Sequence, residues 1–205
     1  MSIVMSRAER QLRTRKELVD AAERLFSRQG FHSTSIDAVA AEAGFTKGAV
    51  YSNFESKEDL FFAVYERRVD RRAEEMKTAL SGARTPLEAI EGTIPGGRGR
   101  PEADDGWLAV FFEFWAHVLR HPEYKQRFAA QHRRVIEPLA AASDVIGGAS
   151  AAADPEERFR LATARFALQL GLQLERLTQP DVVDADFGRR MGLVFMEGER
   201  RGIPD

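Results

Sequence analysis

Lys47, Tyr51, Ser52 and Asn53 crowd donor groups into the run FTKGAVYSNF, around Gly48 and Ala49. The lysine brings a cation. Tyrosine and asparagine bring neutral donors, and the glycine leaves room for another backbone to come close. Such groups suit phosphate oxygens and the edges of bases. Upstream, Arg7, Arg10, Arg13, Arg15 and Lys16 face a single acid, Glu9, within residues 6–16. The whole chain carries a net charge of only −2. Its basicity is therefore local, as a phosphate-contacting end requires.

The elements that must hold these groups are short helices. Thr34 or Ser35 can cap a helix whose Ile36, Val39 and Ala40 share one face. Gly44 can take the left-handed conformation that ends it. Phe45 is expected to bury under the turn, and Thr46 to cap the next helix, from Lys47 to about Asn53. Val50 and Phe54 point inward there, while Lys47, Gly48, Ala49, Tyr51, Ser52 and Asn53 face out. Ser56, with Asp59 three residues on, caps the following helix in a capping-box-like arrangement. Two short helices joined by a tight turn form a helix-turn-helix, whose second helix lies in a DNA major groove.

Composition sets the wider limits. The chain has 205 residues, 43% hydrophobic and 30% charged, which suits one domain or a small domain plus a larger one. Zero cysteines exclude disulfides and thiolate metal sites and fit a cytoplasmic protein. No apolar run approaches the roughly 20 residues of a membrane helix. The stretch MSIVMSRAERQ lacks the apolar segment of a secretory signal.

Three stretches resemble the TetR (tetracycline-repressor-like) family of bacterial regulators: TRKELVDAAERLFSRQGFHSTSI (14–36), VAAEAGFTKGAVYSNF (39–54) and SKEDLF (56–61). They cover about a quarter of the chain. The resemblance implies an all-α fold, with an N-terminal three-helix helix-turn-helix domain over residues 1–55 and a C-terminal helical effector-binding and dimerisation domain over 56–205. It implies that Thr46, Lys47, Gly48, Ala49, Tyr51 and Asn53 face DNA. Thr34, Ser35 and Lys57 then offer further phosphate contacts at the starts of their helices. The expected partners are a double-stranded DNA operator, a small effector and a second copy of the chain. No cofactor, metal or membrane is expected.

The rest of the chain reads as helices, about nine in all. A first helix over 10–29 buries Leu18, Ala22, Leu25 and Phe26. A helix over 57–80 would be about 36 Å long and reach from the DNA end well into the C-terminal domain. The segment 93–105 is a loop. Its Gly96, Gly97 and Gly99 lack the preceding strand and Lys-Ser/Thr of a phosphate loop. GWLAVFFEFWAHVLRH is apolar around most of its circumference, so it is buried on several sides. Pro122 starts the next helix, and Pro138 kinks or shortens it. Residues 147–155 form a linker.

Two final helices are expected over 156–177 and 185–199. The resemblance pairs them with their copies in a dimer interface, with Phe166, Leu170, Leu174, Phe187, Met191 and Phe195 as candidates. Trp107, Phe111, Phe114 and Trp115, with Gln169 and Gln173 as polar handles, could line a pocket for an apolar or aromatic effector; the same aromatics could simply fill the core. Glu113, His117 and His121 recur every four residues as a metal stripe without an enclosing partner, and a solvated polar stripe explains them as well. The four histidines fit no hydrolase or metalloprotease motif, so no enzyme is expected. The reading is a repressor released by its effector. A transcriptional activator on the same scaffold, or a helical binding protein with a silent DNA head, would use the same residues.

Overall fold

A computed structural model of the chain describes residues 6–93, 104–146 and 153–201. All regular structure among the described residues is helical, with no strand. The helices are α1 (Arg7–Gln29), α2 (Ile36–Ala43), α3 (Lys47–Tyr51), α4 (Lys57–Ser81), α5 (Pro86–Thr93), α6 (Asp105–Arg120), α7 (Lys125–Ala141), α8 (Ser143–Ile146), α9 (Pro155–Thr178) and α10 (Ala185–Arg201), with a 3₁₀ turn at Pro122–Tyr124. The additional element relative to the expected nine is the four-residue α8. The Gly-rich core of the 93–105 loop and most of the 147–155 linker lie outside the described residues. None of the described helices is long and apolar enough to cross a membrane.

Local chemistry fixes the helix ends. Ser6 and Glu9 close a reciprocal capping box, which starts α1 three residues before the expected Arg10. Ser35 Oγ accepts from the Ala38 amide at 3.1 Å and Thr46 Oγ1 from the Ala49 amide at 3.3 Å. Gly44 ends α2 at φ +73°. Ser56 Oγ takes the Asp59 amide at 3.0 Å, and Asp59 Oδ2 takes the Glu55 amide at 3.3 Å. The helix-turn-helix is thus terminated as its sequence anticipates. α7 runs through Pro138 and stops three residues later.

The chain forms two compact units: Met1–Arg68 with Gly106–Phe128, and Val69–Asp105 with Ala129–Asp205. The division falls inside α4, beyond the residue-55 boundary expected from the motif, and α6 returns to the first unit. The reason is aromatic packing. Phe114 of α6 stacks on Phe61 of α4 at 3.9 Å between centroids and meets Phe31 edge-on at 5.0 Å. Phe26, Phe31, Phe61, Phe62 and Phe114 are all fully buried. Each such ring contributes about 1.5–3 kcal/mol by leaving water. Arg68 then donates to Glu23 of α1 at 2.6 Å and lies over the Trp107 ring at 4.3 Å. Arg67 bonds to both Asp20 and Glu23.

In the second unit Met76, Ile136, Leu139 and Ala162 form one buried cluster, flanked by Phe159 and Phe166. Ala142 and Met196 form another, against which Leu80 and Phe195 pack. α9 and α10 lie against each other.

Candidate nucleic-acid interface and effector cleft

α3 is anchored from beneath by Val50 and Phe54, both buried, while Phe45 is half-buried under the turn. Its other side is open. Thr46, Lys47, Gly48 and Tyr51 are exposed, Tyr51 to 52%, and Ala49 is partly covered. Lys47 Nζ reaches Asp37 Oδ2 at 3.0 Å, and that carboxylate raises the lysine's pKa. A cation this exposed can exchange one oxygen anion for another at small cost. A Cβ built on Gly48 would meet only Thr46 Oγ1, at 3.8 Å. The protein's own packing therefore does not require glycine there.

Three of the expected DNA-facing residues are occupied with the fold. Thr34 is buried, and its hydroxyl donates to the Gly30 carbonyl at 2.8 Å. Of the Thr34 and Ser35 pair, only Ser35 faces out. Asn53 Nδ2 donates to the Ala49 carbonyl at 2.8 Å, which ties down the end of α3. Lys57 Nζ donates to the carbonyls of Phe31, His32 and Thr34 at 3.1, 3.3 and 3.2 Å, and stands 4.5 Å from the Phe31 ring centroid. Its ammonium braces the α1–α2 loop from below, because three converging carbonyls make a better site than open solvent. The Lys57 ammonium, expected at a phosphate, thus has partners within the fold.

The same loop is gripped from α6. Glu113 Oε2 accepts the Phe31 amide at 2.7 Å and Oε1 the His32 amide at 2.8 Å. This carboxylate is committed to the loop, and no group of three or more His, Asp or Glu side chains placed to hold a metal ion is found among the described residues. His117 instead stacks on His121 at 4.1 Å and lies 3.5 Å from Glu58. Burial, then the neighbouring His121, pushes its pKa down. Of the basic residues on α1, Arg13 and Lys16 pair with Glu17 and Asp20. Arg15 crosses to α3, donating to the Asn53 carbonyl at 2.8 Å over the Phe54 ring.

The second unit holds a cleft of about 50 Å³. α4 contributes Arg72 and Met76, α7 Val135 and Leu139, α9 Arg165, Phe166, Leu168, Gln169, Leu170 and Gln173, and α10 Gly192, Phe195 and Met196. Both expected glutamine handles line it. The four expected aromatics belong to the first unit, where Phe114 joins the ring cluster, Trp107 stacks on Phe61 at 5.5 Å, and Phe111 and Trp115 pack around Phe128. Phe166 and Phe195, expected at the dimer interface, are partly buried and pack against the inner clusters. Leu170, Phe187 and Met191 are partly buried. Leu174 of α9 and Val194 of α10 stay exposed, to 41% and 64%.

Residues 18–64 match the profile described as bacterial regulatory proteins of the tetR family, and residues 88–199 match that of the BetI-type transcriptional repressor C-terminal domain. The second match alone spans more than half of the chain. The chain belongs to the TetR family. Over 53 residues it is 49% identical to the HTH-type transcriptional regulator AcrR of Shigella flexneri, covering 26% of this chain and 25% of that protein. It is 31% identical over 128 residues to the HTH-type transcriptional activator FasR of Mycolicibacterium smegmatis, covering 62% and 50%. The chain thus spans a quarter and a half of these two relatives. A regulator from Saccharomonospora viridis, crystallised with choline, shares the fold with a TM-score of 0.69 and 21% identity, over 89% of this chain and 95% of that one.

Within this TetR-family chain the sequence left the placement of three residues unread. Glu113 acts on a loop some eighty positions earlier, and no local pattern announces that. Arg15 looked like one cation among five. Arg165 carried a usable signal: with Gln169 and Gln173 it forms a polar stripe at intervals of four along an otherwise apolar helix.

Proposed function

We propose that this chain is a DNA-binding transcriptional regulator that acts as a homodimer on a palindromic operator, as a repressor released by a small effector. One observation carries the reading. α3 and its cap present Thr46, Lys47, Gly48 and Tyr51 on an exposed face, on a helix seated by Val50 and Phe54. Gly48 fits this reading in particular. An open site on a helix favours alanine by about 1 kcal/mol, so glycine there suits the approach of something outside the chain. Lys47 and Tyr51 would contact phosphates or a base edge, and Ser35 would add a phosphate contact at the start of α2.

A two-fold dimer would set two α3 helices roughly 34–36 Å apart, one turn of duplex. Leu174 and Leu177 of α9 and Val194 of α10 are exposed apolar residues that pairing of these helices would cover. α4 links the two tasks, since it carries Lys57 under the α1–α2 loop and Arg72 and Met76 on the cleft. An effector that prefers one position of α4 can change DNA affinity only through its differential affinity for the two states. The description of the matched C-terminal profile favours a repressor; FasR, named an activator, keeps the opposite output open on the same scaffold.

The experiment is binding of duplexes selected from a random pool, measured against salt. Wild-type affinity should fall steeply with salt, and Tyr51→Ala should weaken every duplex about equally while leaving the dimer intact. Duplex binding that is absent at low salt would leave the silent-head reading standing instead.

A further inference from the structure

We infer that the cleft between α4, α7, α9 and α10 takes an amphipathic acid, a carboxylate on an apolar body, and not a quaternary ammonium; this rests on the effector-release reading above. Its charged lining residues, among those described, are two arginines, Arg72 and Arg165, and no acid lines it. Arg165 is only 7% exposed. One of its terminal nitrogens donates to the Leu139 carbonyl at 2.8 Å, but its Nε has no hydrogen-bond partner among the described residues. Its nearest acid, Glu199, is 4% exposed and approaches only to 3.7 Å, and neither of its oxygens is hydrogen-bonded.

A buried guanidinium needs both compensating charge and partners for its fixed fork of donors. Glu199 supplies these poorly. Burial pushes its carboxyl up, toward the neutral acid. Arginine has no such escape, because its guanidinium keeps its proton in proteins even where burial lowers the pKa. The cleft therefore retains an under-neutralised cation. Arg165, Gln169 and Gln173 recur every four residues along α9 and all line the cleft, as do the apolar Phe166 and Phe195. A planar carboxylate satisfies that arrangement. A trimethylammonium group would meet the Arg165 guanidinium and that of Arg72, which stands 3.9 Å from Glu75, and no acid among the lining residues to close an aromatic cage.

The unliganded cleft is far below the 300–1,000 Å³ of a typical ligand site. Seating an acid must move the side chains or helices that line it. That movement is what gives an effector differential affinity for two states.

The test uses matched compounds on two bodies, phenylbutyl and decyl, each bearing a carboxylate, a hydroxyl or a trimethylammonium head. Binding to the full chain is measured by calorimetry at pH 7.5. The acid should bind at least tenfold tighter than the alcohol on one body or both, and the ammonium should not bind. In Arg165→Met/Glu199→Met, which replaces the pair with apolar groups of similar size, acid and alcohol should come within twofold of each other. Arg72→Met removes the other lining cation without touching the buried pair and should narrow the same gap, whether or not the double variant folds. Alcohol binding as tightly as acid, or ammonium binding tightest, overturns the inference while leaving an effector cleft in place. No binding by any compound overturns both.

Discussion

The Glu113 carboxylate occupies the space where a side chain on Gly30 would begin: a Cβ built there would lie 2.6 Å from Glu113 Oε2. Gly30 also holds φ +82°, which disfavours any other residue. Two demands thus fall on one glycine, and both serve the grip of α6 on the α1–α2 loop. Glu113→Ala removes two charge-assisted hydrogen bonds and should cost about 2 kcal/mol of stability. Gly30→Ala should cost at least as much. The two residues touch, so their effects should not add: with Glu113 already truncated, Gly30→Ala loses its clash and should cost about 1 kcal/mol less. Denaturant unfolding of the two single variants and the double variant checks this, and strict additivity would contradict the contact.

Gly48→Ala should separate stability from function. The position is helical and open, so alanine should stabilise the fold by about 0.5–1 kcal/mol. If α3 enters a groove at Gly48, the same change should weaken duplex binding by tenfold or more. Melting temperature and duplex affinity, taken together, check the pair of outcomes. A variant that is more stable and binds equally well would remove Gly48 from the interface.

Lys47 and Lys57 should part company under salt. Lys47→Met should reduce the slope of log affinity against log salt by about 1, as expected when one phosphate contact is lost. Lys57→Met should lower the melting temperature and weaken binding at every salt concentration, but leave the slope unchanged. Its ammonium is spent on the carbonyls of Phe31, His32 and Thr34. Equal slopes for the two variants would contradict this division of roles.

Acidification should weaken the fold. His117 and His132 both have pKa values pushed below the usual histidine value of 6.5, chiefly by burial. The folded state therefore resists their protonation. Their contribution is intact above about pH 6.5 and is lost as pH falls beneath that value. For His117 the facing groups are Glu58 and Lys57 of α4, His32 of the loop, and His121. Glu58 attracts the imidazolium, but burial outweighs it. Melting temperature should drop between pH 7.5 and 5.5, and His117→Phe should flatten the drop. A wild-type profile that is level across this window would contradict the sign.

The helix-turn-helix was legible in the sequence because its determinants are local. Ser35, Gly44, Thr46 and Ser56 each act within a few residues, and Val50 and Phe54 declare the inner face by spacing alone. What the sequence could not say is what a greasy helix packs against. Periodicity showed that Phe111 and Phe114 are buried, yet whether beside Gln169 or beside Phe31 and Phe61 depends on tertiary docking. The internal partners of Lys57 were hidden for a related reason. At the start of a helix a lysine suits an outer phosphate, but the carbonyls that claim it belong to a loop more than twenty residues earlier. Arg165 lay in view as a misplaced polar stripe, and only its burial beside Glu199 gives the stripe a meaning.

Selection of duplexes from a random pool by the purified full chain tests the central claim most directly, with Tyr51→Ala run in parallel. The expected result is a palindrome whose half-site centres lie one helical turn apart, enriched by the wild type and lost with Tyr51→Ala. A winner without two-fold symmetry, no enrichment at low salt, or equal enrichment by the variant would contradict a symmetric pair of α3 helices reading DNA.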